Sequence, residues 1–236
     1  LLARRADRLE ALADELRTAG GTAAWATGDV TDDVGLPAAF DQLADELGGA
    51  DVVIANAGFG RAEAPHKFKP GRARATYDVN FTGLLRTIDW AMPRFLEANA
   101  GHLVGVASVA SFMAFPNAAA YSGSKVAMRF HLQSLRVSLR HYNIAVTTIC
   151  PGFVESELTA INKGPMPFMW KTDRAARVMA DAIEQRRAQL VFPWQMKLLM
   201  GVATRLPRPV QEMILARGAL RRKPWIGADA ADDPSA

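Results

Sequence analysis

The chain has 236 residues, half of them hydrophobic and 22% charged, with a formal net charge of +4. That composition excludes a disordered protein and suffices for one α/β domain with a sizeable core. The single cysteine, Cys150, excludes an internal disulfide framework and suits a reducing cytoplasm, and no apolar run approaches the ~18 residues that span a bilayer.

Leu1-Leu2-Ala3 reads as the end of a strand, and with Arg4-Arg5 behind it the N-terminus lacks the charge order of a secretory signal. Leu9, Leu12 and Leu16 recur at helical spacing, which predicts a helix over 6–19 that Gly20-Gly21 ends. A short strand is expected near 23–28 and a second helix over about 36–47. Asp51-Val52-Val53-Ile54-Ala55 is a continuous apolar strand of the kind buried on both faces in a parallel sheet. A long helix is expected over 72–98, with Pro93 as a kink. Then come strand 102–107, helix 119–141, strand 143–150, helix 172–187 and strand 189–192. This alternation predicts an α/β fold, a doubly wound parallel sheet, over residues 1–193. A mononucleotide-binding half normally opens with a strand, a Gly-rich turn and a helix. No G-x-G-x-x-G occurs here, so the sequence is expected to begin after that unit.

Beyond the last strand lies a helical extension, 194–225. It holds Lys197, Arg205, Arg208, Arg217, Arg221, Arg222 and Lys223 against Glu212, a net of +6 that leaves −2 for the rest of the chain. A neutral domain with a basic appendage is not the pattern of a nucleic-acid binder. Trp194, Leu198, Leu199 and Val202 are expected to share one face, with a second helix over 210–221. An apolar face beside basic residues suits peripheral contact with an anionic membrane, a flap over the site, or a subunit contact. The tail, 226–236, is expected to be disordered. The four histidines show no metal-ligand spacing, so no metal is expected.

The chemistry gathers where strands end. Tyr121 and Lys125 are four apart on a predicted helix and so share a face. At ~5 Å and an effective dielectric of ~20, an ammonium attracts a phenolate by ~3 kcal/mol, enough to lower a tyrosine pKa by ~2. Ser108 follows strand 102–107, at the edge where open α/β sheets bind ligands. Ser111 is its rival. Asn56-Ala57-Gly58 follows strand 51–55, and its glycine permits close backbone approach. Asn80 lies inside the long helix, where asparagine is a poor choice on propensity alone. Pro151-Gly152-Phe153-Val154-Glu155-Ser156 follows strand 143–150.

With N-A-G at 56–58, Asn80, Ser108, Y-x-x-x-K at 121–125 and P-G at 151–152, in that order and spacing, the chain resembles the short-chain dehydrogenase/reductase family over about 1–193. The resemblance implies a Rossmann-like fold lacking its first βα unit. It implies a catalytic group of Asn80, Ser108, Tyr121 and Lys125. Tyr121 would exchange a proton with the substrate oxygen, and Lys125 would lower the phenol's pKa and hold the nicotinamide ribose. Ser108 would polarise the carbonyl, and Asn80 would hold a water that relays protons. Asp29 and Val30 match an adenine contact, Asp29 having a turn or cap role as its alternative. Asn56, Ala57, Gly58, Pro151, Gly152, Val154 and Ser156 would line the cofactor. Ala3 stands where an acid selects NAD, followed by Arg4 and Arg5, which implies NADP(H) in preference to NAD(H). Residues 164–170 fall where the family places its variable substrate lid. With Phe112, Met113, Phe115 and Phe153 they suggest a hydrophobic carbonyl or alcohol substrate, Phe115 and Phe153 beside Ser108. A homo-oligomer is expected. The competing reading is a non-catalytic NADP(H)-binding sensor or scaffold.

Overall fold

A computed structural model describes residues 1–60, 65–160 and 165–220; the expected disordered tail and the last five residues of the basic extension lie outside them. In chain order the elements are β1 (Leu2–Ala3), α1 (Ala6–Thr18), β2 (Ala26–Thr27), α2 (Gly35–Leu47), β3 (Val52–Ala55), α3 (Pro70–Tyr77), α4 (Gly83–Ala98), β4 (Gly101–Val106) and α5 (Ala119–Ser138). There follow β5 (Ile144–Pro151), α6 (Glu157–Ala160), α7 (Thr172–Glu184), β6 (Gln189–Phe192), α8 (Trp194–Ala203) and α9 (Arg208–Leu220).

The strand pairing is parallel throughout, in the order β3-β4-β5-β6. β4 and β5 are apolar runs buried almost end to end, as strands covered on both faces must be. On one face α4 and α5 pack Leu84, Ile88, Phe95, Met128 and Leu132 against Val53, Leu103 and Val146. On the other, α7 sets Ala175 and Ala182 against Val104, Ile149, Leu190 and Phe192. Each large aliphatic side chain buried this way contributes roughly 1.5–3 kcal/mol. The result is the doubly wound, Rossmann-like α/β fold that the alternation predicts.

Three local expectations are corrected. The sheet is interrupted: β1 and β2 pair only with each other among the described residues. They are tied to the larger sheet through α2 on α4, where Phe40 stacks on Trp90 at 4.9 Å and Asp41 accepts from the Trp90 indole and from Arg94. β3 is buried on one face only. Val53 and Ala55 face α4, whereas Val52 and Ile54, on the opposite face, are 45% and 50% exposed. On α1, Leu9 and Ala13 are buried while Leu12 and Leu16 stay exposed.

The helix expected over 72–98 is α3 and α4 joined by a π turn over Asp78–Thr82, and α4 continues through Pro93. π turns inside helices gather at functional sites, because the extra residue redirects a side chain. Here the redirected residue is Asn80, which is wholly buried.

Candidate active site

The C-terminal ends of β3, β4 and β5 lie side by side, and the turns that leave them carry residues 56–60, Ser108 and residues 151–156. α5 runs back beneath this edge and brings Tyr121 and Lys125 to it. Ser108 caps the short 3-10 turn Val109–Ser111, its Oγ accepting from the Ala110 amide at 3.1 Å. The hydroxyl proton stays available, and Ser108 faces the Tyr121 phenol. Ser111 instead donates to the Ser108 carbonyl at 2.6 Å and is turned toward Cys150. The geometry therefore brings Ser108, not its rival, to the tyrosine. Burial pushes the Cys150 thiol up to about 11, so it is an inert core group.

Lys125 is almost fully buried and its ammonium donates to the Val106 carbonyl at 2.8 Å. Burial lowers its pKa to about 8, with only a small opposing effect from Cys150. Tyr121 moves the other way: burial raises the phenol and the Ser108 hydroxyl partly offsets this. The lowering of the tyrosine pKa by Lys125 that the spacing suggested is thus not what sets it. The ammonium is turned to a backbone carbonyl at the end of β4, and desolvation dominates both groups. A phenol held above its ordinary range is a proton donor at neutral pH.

Asn80 accepts from the Phe59 amide at 2.8 Å and donates to the Phe59 carbonyl and to Ser124 Oγ, both at 2.9 Å. Ser124 in turn donates to the Tyr121 carbonyl at 2.8 Å. Both amide hydrogens of Asn80 are committed, so any water it holds must approach its oxygen. Its evident work is to clamp the turn at residues 58–60 over the site. A Cβ at Gly58 would lie 3.1 Å from Lys125 Nζ and 3.2 Å from Asn80 Oδ1. A Cβ at Gly60 would lie 2.9 Å from Tyr121 Cγ and overlap the ring edge. Gly60→Ala is therefore expected to displace the ring or the turn and cut kcat by about 10²-fold, with the melting temperature little changed; steady-state kinetics and thermal melts check this.

The sequence profile described as short chain dehydrogenase matches residues 1–164. The chain belongs to the short-chain dehydrogenase family. An uncharacterised oxidoreductase of Myxococcus xanthus is 41% identical over 207 residues, which span 88% of this chain and 82% of that protein. Two solved structures share the fold. One is a short-chain dehydrogenase/reductase of Burkholderia phymatum in complex with NAD (TM-score 0.78, 20% identity, 97% of this chain and 88% of that one). The other is a gluconate 5-dehydrogenase of Burkholderia cenocepacia in complex with NADP and tartrate (TM-score 0.74, 22% identity, 84% of each chain).

The other positions expected in this short-chain dehydrogenase lie in the segments that follow β1, β2, β3 and β5. Asp29 closes the turn after β2, its Oδ1 accepting from the Thr31 amide at 2.9 Å and hydroxyl at 2.8 Å, and its second oxygen lies 3.7 Å from Arg4. The turn role named as its alternative is therefore present. Val30 packs on Gly83 and accepts from Arg86 through its carbonyl at 3.2 Å. Arg5 pairs with Glu157 at 3.2 Å, and Arg8 pairs with the same carboxylate. Asn56 and Ala57 are exposed in the turn after β3.

Gly152 donates to the Phe192 carbonyl at 2.7 Å, and a Cβ there would lie 2.9 Å from Pro193 Cδ, so β6 alone requires this glycine. Val154 bridges to Trp170, whose amide donates to the Phe153 carbonyl at 3.0 Å. Ser156 and Thr159 cap each other's backbone amides around the start of α6, at 2.9 and 3.3 Å. Of the aromatic and sulfur residues expected near the substrate, Phe115 is partly buried, and Met113 is core against α8. Phe112 lies under the Arg129 guanidinium at 4.4 Å. Gly164 lies outside the described residues. Sequence reasoning missed Gly60, Ser124 and Thr159. The second glycine in N-A-G-F-G and the S-x-x-T before α6 were signals for two of them; nothing local marked Ser124. Among the described residues no group of three or more His, Cys, Asp or Glu side chains is placed to hold a metal ion. Nor is any helix there long and apolar enough to cross a membrane.

Proposed function

We propose that this chain is a carbonyl reductase or alcohol dehydrogenase that uses NADP(H) in preference to NAD(H) on a small hydrophobic substrate. The observation that carries the reading is the partly buried Tyr121, with Ser108 at its phenol, Lys125 one helical turn on and a glycine turn closed over it. A nicotinamide cofactor suits this edge, since glycine keeps Cβ atoms away from Lys125 and Tyr121 and the Arg4 and Arg5 guanidiniums stand largely exposed after β1.

When bound, the cofactor supplies or accepts the hydride. Arg4 and Arg5 would hold its 2′-phosphate, with Asp29 and Val30 at the adenine and Asn56, Ala57 and Gly58 along the adjacent ribose. Pro151, Gly152, Val154 and Ser156 would flank the carboxamide end, and Lys125 and Tyr121 the nicotinamide ribose. Tyr121 Oη–H gives its proton to the carbonyl oxygen, and the Ser108 hydroxyl holds that oxygen in place. The neutral phenol favours the reductive direction. Phe115 and Phe153 would line the substrate. A cytoplasmic homo-oligomer belongs to the same reading, supported by the single buried thiol and by the family.

The test supplies NADPH and NADH separately with apolar ketones and aldehydes. The expected result is turnover with NADPH at a kcat/KM at least about tenfold above NADH. Arg4→Ala/Arg5→Ala should remove about 10–100-fold of the NADPH value and leave NADH unchanged, as loss of charge-assisted phosphate contacts requires. Equal use of both cofactors would refute the preference, and no hydride transfer to any carbonyl would refute the reductase.

A further inference from the structure

We propose that the outer face of α8 seats this protein on an anionic membrane surface. α8 is apolar on both sides. Met196, Met200 and Ala203 are buried against Val109 and Met113, with Phe115 and Leu215 at the margin. The opposite stripe is equally apolar and bare: Trp194, Leu198 and Val202 are 66%, 60% and 55% exposed, and Leu199 flanks them. A helix that is hydrophobic all round calls for a second apolar surface. On α9, Met213 and Ile214 are exposed as well.

The charges say which surface. Lys197 lies one turn after Trp194, Arg205 falls on the line of Trp194 and Leu198 one turn past Val202, and Arg208 opens α9; all three are exposed. Glu212 is the extension's single acid among its seven bases. A second copy would bring +6 against +6, whereas a bilayer containing anionic lipid offers both apolar depth and opposite charge. A tryptophan flanked by basic residues is also the composition that settles at the headgroup boundary.

The inner face of α8 packs on Val109, next to the Ser108 that caps the same turn, so docking would hold the site's rim near the lipid. A link to a hydrophobic substrate rests on the proposed reductase activity. The membrane measurement does not, so either can fail alone.

The experiment mixes the full chain with phosphatidylcholine vesicles, with or without phosphatidylglycerol, and measures co-sedimentation. Anionic vesicles are expected to bind more tightly by about fivefold per basic residue, about hundredfold for Lys197, Arg205 and Arg208 together. Leu198→Glu, an exposed position, should abolish partition with the melting temperature unchanged. Equal binding to both vesicles, binding to neither, or wild-type binding by Leu198→Glu would overturn the proposal. So would self-association that Leu198→Glu removes in the absence of partition, because the face would then belong to a second copy.

Discussion

Replacing Tyr121 by phenylalanine is expected to lower carbonyl turnover by roughly 10³-fold while leaving cofactor affinity and fold intact. The substitution deletes one oxygen and keeps the ring that packs beneath Gly60. Ser108 remains on its capped turn and can still orient a carbonyl, but no proton is delivered to the developing alkoxide. The sign of the pH dependence follows from the phenol's raised pKa. The protonated form is the donor, so reduction should persist from acid to neutral pH and decline only on the alkaline side. Stopped-flow or steady-state NADPH oxidation, with fluorescence titration of the cofactor, separates chemistry from binding. Turnover by the phenylalanine variant equal to that of the parent would end the assignment.

The second large effect concerns Lys125, and it runs in opposite directions for activity and stability. The ammonium is desolvated, its pKa lowered from 10.5 to about 8, and no carboxylate lies among the causes. Between those two values the unfolded chain binds the proton more readily than the folded one. Folded stability therefore rises as pH climbs from about 8 to 10.5, and the full penalty applies below 8. That penalty is roughly 3 kcal/mol near neutral pH. Lys125→Met removes it but leaves the Val106 carbonyl without its donor, a loss of about 1–2 kcal/mol. The net is a gain of about 1–2 kcal/mol and a melting temperature higher by roughly 2–6 °C, together with loss of turnover. The difference in melting temperature should shrink as pH climbs from about 8 toward 10.5, because the folded parent has then lost its proton and only the unfolded chain still binds it. Melts of both proteins across that range test it; a variant less stable than the parent at neutral pH would show that the burial cost is compensated.

Most of the fold was legible because its strands and helices announce themselves by period. β4, β5 and α5 lie within a few residues of expectation, and their burial follows their apolar content. What escaped were features set by neighbours. Val52 and Ile54 look like core residues in any window, and only the tertiary packing reveals that one face of β3 is half exposed. The π turn at Asp78–Thr82 has no pattern of its own, yet the odd placement of Asn80 in a helix hinted that something local was overridden. At the site, spacing correctly gathered Ser108, Tyr121 and Lys125 at one edge. It misjudged the electrostatics, because separation along a helix says nothing about water, and here the removal of water outweighs the pair's attraction. Gly60 and Ser124 act through packing and a side-chain hydrogen bond across 44 or more residues of chain, which no short motif encodes.

The bare side of β3 has an energetic consequence. Two aliphatic side chains left half exposed forgo roughly 1 kcal/mol each, in a domain whose whole margin over the unfolded chain is about 5–15 kcal/mol. Among the described residues the outer rim of that strand is unpaired, and it offers amides and carbonyls to any extended peptide that slides alongside. A segment that covered both would raise the melting point.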